Sequence, residues 1–160
     1  MQKLIIIAIV LFTSCSTMRN GIKKNDTLTD KTIESLFSDN GNVFYIRSSY
    51  STFSTVWAYK SDKIEVYNLA NGKIAEKSSH DATNYINKVP KERVFEVDNC
   101  MELDGDIIGY KVSFDGNKYQ EDFPVSMKCF LDQKYKAQFL NTLVKDVKMY
   151  KLWSVKEDNN

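Results

Sequence analysis

Three dipeptides that favour chain reversal, Asn71-Gly72, Asp104-Gly105 and Asp115-Gly116, each lie between segments rich in β-branched and aromatic residues. That pattern restricts the chain to antiparallel strands joined by tight turns, because a type I′ turn needs two consecutive residues that accept positive φ. Upstream, residues 43–50, 54–60, 63–70 and 73–77 read as strands, the second and third separated by Ser61-Asp62. Downstream, two-residue turns fix the register. The first sets Met101 opposite Ile108 and Val97 opposite Val112; the second sets Val112 opposite Tyr119 and Ile108 opposite Phe123. One apolar face then runs across three strands, and a slip of one residue would scatter it.

Helical spacing appears in three places. Ile33, Leu36 and Phe37 recur at three and four before Asn40-Gly41, which predicts a short helix over 30–39. Tyr85, Ile86 and Val89, closed by Pro90, predict a helix of two turns over 82–89. Asp132 can cap a final helix that runs through Lys148, with Tyr135, Phe139, Leu140, Leu143 and Val147 on one stripe. The order predicts an α+β class: an antiparallel β-meander of about six to seven strands covered by the C-terminal helix, with a short N-terminal helix. Nine Phe, nine Tyr, Trp57 and Trp153 can fill one core within 160 residues. A single domain is expected over 29–155, with 156–160 as a tail.

The N-terminus carries an address. Met1-Gln2-Lys3 gives a short basic start, and Leu4 to Phe12 is an unbroken run of nine apolar residues, the length of a signal-peptide core. Nine helical residues rise about 14 Å, against roughly 30 Å of bilayer hydrocarbon, so the run is too short to span. Leu11-Phe12-Thr13-Ser14-Cys15 then resembles the lipobox of bacterial lipoproteins, in which small residues precede a lipid-accepting cysteine. Phe12 departs from that family's usual Leu, Val or Ile. The resemblance covers about a tenth of the chain and implies a signal peptide over 1–14, cleavage before Cys15, and acyl chains on Cys15 that hold the protein in a membrane. Ser16 is not the aspartate that retains such proteins at the inner membrane, so the family analogy favours the outer membrane. Residues 16–27 show neither sequence period, and a flexible tether is expected over 15–28.

Charge excludes one class of partner. Basic and acidic residues number 22 and 21, and loss of Lys3 with the leader makes them equal. Without surplus positive charge or a basic reading helix, nucleic acid is not an expected partner.

Few residues suggest chemistry. With Cys15 acylated, Cys100 and Cys129 form an even pair in an oxidising compartment, so either a disulfide or two buried thiols is expected. His80, the single histidine, sits in Ser78-Ser79-His80-Asp81. A helix-entry loop is the expected setting, because a catalytic triad is assembled by folding rather than by sequence neighbours. Asp98, Glu102, Asp104 and Asp106 gather acidic oxygens around Gly105, but turn chemistry accounts for them, and the spacing fits neither an EF-hand nor a closed zinc site. No metal, cofactor or catalytic residue is assigned. Tyr50, Phe53, Trp57 and Tyr59 among Ser and Thr residues form a candidate ligand face for a sugar or peptide.

These readings favour a membrane-anchored envelope lipoprotein whose soluble domain binds a protein partner or small ligand without catalysis. Two rivals remain. One is an envelope hydrolase using a carboxylate pair, which requires two acids converging in a cleft. The other is a structural envelope component, marked by a large exposed apolar patch or a dimeric edge.

Overall fold

The computed structural model describes residues 2–38, 42–60, 63–81, 95–114, 116–136 and 138–153. The predicted helix over 82–89 lies outside them. In chain order the elements are α1 (Gln2–Ser38), β1 (Asn42–Arg47), β2 (Phe53–Lys60), β3 (Lys63–Ala70), β4 (Lys73–Asp81), a short 3₁₀ helix (Phe95–Cys100), β5 (Met101–Phe114), β6 (Asn117–Val125), α2 (Met127–Asp132) and α3 (Gln138–Met149). The class is α+β. Six antiparallel strands form one sheet in the order β4-β3-β2-β1-β5-β6.

Strand positions follow the sequence closely from Asn42 to Ala70. At Asn71-Gly72 the φ values are 55° and 72°, as a type I′ turn requires. In the β5–β6 hairpin, Val112 pairs with Tyr119 and Ile108 with Phe123, the expected register.

The reading fails at Asp104-Gly105. No strand reverses there: β5 runs on through it, and Met101 and Asp106 both stand opposite Val125, so 102–105 bulge out of the ladder. Met101 therefore never faces Ile108. Gly105 is needed for space, since a Cβ there would come within 2.4 Å of the Val125 carbonyl oxygen. A glycine that admits a neighbouring backbone looks, in sequence, like a glycine that turns the chain.

The sheet is covered on both faces. Phe44, Ile46, Trp57, Tyr59, Ile64, Val66, Ile108, Tyr110 and Val112 point to the side closed by α2, α3 and the 3₁₀ helix, where Val97, Phe130, Leu140, Leu143, Val147 and Leu152 meet them. Each such side chain removed from water contributes about 1.5–3 kcal/mol. Asp132 is not a cap: it ends α2, and α3 begins at Gln138. Between the two helices Asn141 holds Tyr135, accepting from its backbone N–H (2.9 Å) and donating to its carbonyl. Tyr135 is buried as expected, whereas the Phe139 side chain lies outside the described residues.

On the opposite face, α1 packs Ile33 and Leu36 against Val43, Tyr45, Val56, Ala58 and Leu69. This helix extends well upstream of Asp30, through the segment expected to be a tether. Polar contacts hold that extension. Asn25 Nδ2 donates to Ser54 Oγ (3.1 Å), while Thr29 Oγ1 donates to the Asn25 carbonyl (2.7 Å) and lies 2.7 Å from the same Ser54 oxygen. With the Thr29 proton directed to the Asn25 carbonyl, Ser54 is the donor to Thr29. Asn25, Thr29 and Ser54 are all buried, so this clasp satisfies groups that would otherwise be costly to bury.

Candidate functional site

The two flanks of α1 carry opposite charge. Asp30 pairs with Arg47 of β1 and Glu34 with Lys111 of β5 on one flank. The other flank turns Lys24, Leu28 and Lys31 towards the β3–β4 turn, which comes close because residue 72 is glycine. A Cβ there would sit 2.9 Å from the Lys24 Cβ, and the Gly72 N–H donates to Asn25 Oδ1 (3.2 Å). Helix and turn enclose an open cavity of about 500 Å³ lined by Asn20, Lys23, Lys24, Thr27, Leu28, Lys31 and Gly72. Lys31 also borders a narrower groove of about 180 Å³ with Thr32, Ser35, Leu36, Tyr67 and Ile74. Beside it the Lys77 ammonium lies 4.9 Å from the Tyr67 ring centroid. Three lysines, no carboxylate and an apolar floor define a trough suited to an anion with an apolar portion. Sequence periodicity missed it because it lies between α1 and a turn distant in sequence; Lys23, Lys24 and Lys31 recurring on one helix were the available signal.

The candidate ligand face does not form. Trp57 and Tyr59 point inward and are fully buried in the core, where the Tyr59 hydroxyl donates to Asp146 Oδ2 of α3. Burial, reinforced by Asp146, pushes the Tyr59 hydroxyl up, and burial also raises the Asp146 carboxyl. Phe53 packs on Trp153 at 5.5 Å between ring centroids, and Tyr50 stands exposed in the β1–β2 loop. Aromatic residues here mark a two-sided central strand rather than a binding surface.

His80 lies on β4 rather than in a loop, and the strand's period brings Ser78 and His80 to one face, with Ser78 Oγ 3.1 Å from His80 Nε2. Ser79 and Asp81 fall on the other face. The His80 ring packs 5.2 Å from that of Tyr150, whose hydroxyl donates to the Asp81 carbonyl (2.7 Å). These contacts tie β4 to the end of α3 and supply no carboxylate to orient the imidazole as a base.

The acidic residues stand about the bulge, Glu102 close enough to act on Asp106. Asp98, Glu102 and Asp104 are exposed around the 102–105 bulge, and Asp106, half-buried, accepts from the Ser49 N–H at 3.4 Å. Burial raises the Asp106 carboxyl, partly offset by hydrogen bonds from Ser49 and Ser48. Glu102 and Asp104 sit on a loop that projects from the sheet. Among the described residues no group of three His, Cys, Asp or Glu side chains could hold a metal.

Cys100 and Cys129 are joined by a disulfide with Cα atoms 5.5 Å apart. Neither is on a strand: the 3₁₀ helix presents Val97 and Cys100 together inward, and α2 presents Cys129 within its first turn. Cys15 lies in α1, upstream of the clasp.

Fold and site together define a two-sided α+β domain with a cationic trough beside its N-terminal helix. No protein-family model, curated protein or solved structure matches the chain. No helix among the described residues is long and apolar enough to cross a membrane.

Proposed function

We propose that the protein is a non-catalytic binding module of the bacterial cell envelope, anchored by acyl chains on Cys15, with the outer membrane favoured by Ser16, and that its trough takes an anionic ligand or an acidic segment of an envelope protein. The observation that carries this reading is the continuity of α1. The helix runs unbroken from Cys15 into the Asn25–Thr29–Ser54 clasp. At 1.5 Å per residue, Lys23 and Lys31 stand about 12 and 24 Å along the helix from the anchored residue. Anchor and trough thus belong to one rigid element, which lowers the ordering cost of any contact made near the membrane.

The test has two arms. Intact mass and cell fractionation should show an acylated protein in the membrane pellet, and Cys15→Ala should move it to the soluble fraction without added mass. A protein that stays pelleted at unchanged mass after Cys15→Ala contradicts the anchor. Calorimetric titration with inorganic pyrophosphate should show binding weakened about tenfold or more by Lys24→Glu with Lys31→Glu. Equal heats in parent and variant would remove the trough from the account.

A further inference from the structure

Four segments meet at one end of the sheet: the β1–β2 loop, the β3–β4 turn, the 102–105 bulge and the part of α1 nearest Cys15. Thr52 Oγ1 donates to Asn71 Oδ1 (2.6 Å), the Asn71 N–H donates to the Thr52 carbonyl (2.9 Å), and Ser49 Oγ donates to the Gly105 carbonyl. Gly21 of α1 approaches so closely that a Cβ there would lie 3.0 Å from Thr52 Cγ2. The β5–β6 turn and the C-terminal end of α1 are at the opposite end, where Lys118 lies over the Phe37 ring.

Exposed apolar side chains are not spread evenly between these ends. Of the five exposed large apolar side chains among the described residues, Leu103 (98%), Tyr50 (61%), Ile74 (54%) and Met101 (52%) lie in or within two residues of the segments just named, whereas the fifth, Met149 (46%), ends α3. A leucine left almost wholly in water, beside a methionine and a tyrosine, is the kind of apolar surface that marks a contact. Arg19, Lys23, Lys24 and Lys73 are exposed at the same end.

We infer that this end of the domain lies against the bilayer, with Leu103, Met101, Tyr50 and Ile74 entering the interfacial layer and the α1 cations meeting lipid phosphates. The inference rests on the proposed acylation of Cys15. α1 points from the clasp towards that residue, and Gly21 is six residues beyond it, about 9 Å of helix. An anchor so close, on a helix fixed to the sheet, leaves the domain little freedom to turn another end to the lipid. Glu102 and Asp104 flank Leu103 and set the depth: carboxylates stay with the headgroups, so the bulge enters the interface and stops there. The cations favour an anionic leaflet, matching the phosphate chemistry proposed for the trough.

The experiment uses the full, natively processed protein, first weighed to establish acylation and then reconstituted into bilayers of ordinary or acyl-brominated phosphatidylcholine with phosphatidylglycerol. Tryptophan is placed by Leu103→Trp, by Tyr50→Trp and, at the opposite end, by Asn117→Trp; the parent gives the background from Trp57 and Trp153. Brominated lipid should quench the Leu103→Trp and Tyr50→Trp emission at least about twofold, as expected for side chains at the acyl boundary, and leave the Asn117→Trp emission unchanged. Acylated protein with all three reporters unquenched overturns this inference alone. A blue shift at Leu103→Trp without quenching means the patch meets protein and also overturns it. Protein lacking acyl mass overturns this inference together with the proposed anchoring.

Discussion

The two faces of the sheet are closed by different means. Under α3 the closure is mainly apolar, built from Phe44, Trp57, Tyr59, Phe130, Leu140, Leu143 and Val147 with one buried hydrogen bond from Tyr59 to Asp146, and stapled by Cys100–Cys129. Under α1 an apolar contact through Ile33 and Leu36 covers only the C-terminal part of the helix; the preceding two turns are held by Asn25, Thr29 and Ser54, and one flank by ion pairs to Arg47 and Lys111. Apolar burial is strong and indifferent to direction, whereas a buried hydrogen-bond clasp is weaker but fixes one register of helix on sheet. The α3 face therefore supplies most of the stability, and the α1 face fixes the path of the N-terminal helix along the sheet.

Substitutions should separate the two roles. Trp57→Ala removes the largest side chain of the α3 face and should cost about 3–5 kcal/mol in chemical denaturation, a large share of the roughly 5–15 kcal/mol that a domain ordinarily has. Reducing Cys100–Cys129, or replacing Cys129 with Ser, opens a loop of 29 residues' separation and should cost roughly 3–4 kcal/mol by chain entropy. Ser54→Val leaves Asn25 Nδ2 without its acceptor and the Thr29 oxygen without its donor, and should cost about 1–3 kcal/mol, with the loss of order confined to the N-terminal part of α1. A loss as large as that of Trp57→Ala, with the whole sheet melting earlier, would erase the distinction between the faces.

Two smaller effects depend on solution conditions. Burial raises the Asp146 carboxyl, so the folded chain holds that proton more tightly than the unfolded one. Its contribution is present below the unfolded carboxyl value, about 3.9, and is lost as pH climbs through the raised folded value. Asp146→Asn keeps an acceptor for the Tyr59 hydroxyl and should flatten melting temperature across that window; an unaltered pH profile would mean that Asp146 does not contribute. Asp30→Ala breaks an ion pair whose acidic side chain is mostly in water and should cost no more than about 1 kcal/mol, less in high salt.

The legible parts were those governed by a period or a turn. Runs of β-branched and aromatic residues gave β1 to β3 and the greater part of β4, Asn71-Gly72 gave a turn with both φ values positive, and Asp115-Gly116 gave the β5–β6 register. Gly105 misled because its sequence context matches a turn while its role is close approach to Val125. Residues 16–27 read as a tether because Asn25 and Thr29, four apart on one helical face, are polar, and hydrophobic periodicity cannot register a buried clasp. Trp57 and Tyr59 were read as surface because β2 has both faces covered, which removes the alternation that distinguishes inside from outside. The trough had no motif at all, since it joins α1 to a turn some forty residues later.

On the proposed acylation of Cys15, the clasp is what would carry the anchor's position into the orientation of the domain, and amide hydrogen exchange along residues 22–29 of the full chain reports on the clasp directly. The account predicts that the amides of 25–29 exchange at least about a hundredfold more slowly than those of an unstructured chain, and that Ser54→Val restores fast exchange there while β1 and β2 stay protected. Coil-like exchange across 22–29 in the parent, with the sheet intact, would mean a loose tether and contradict it.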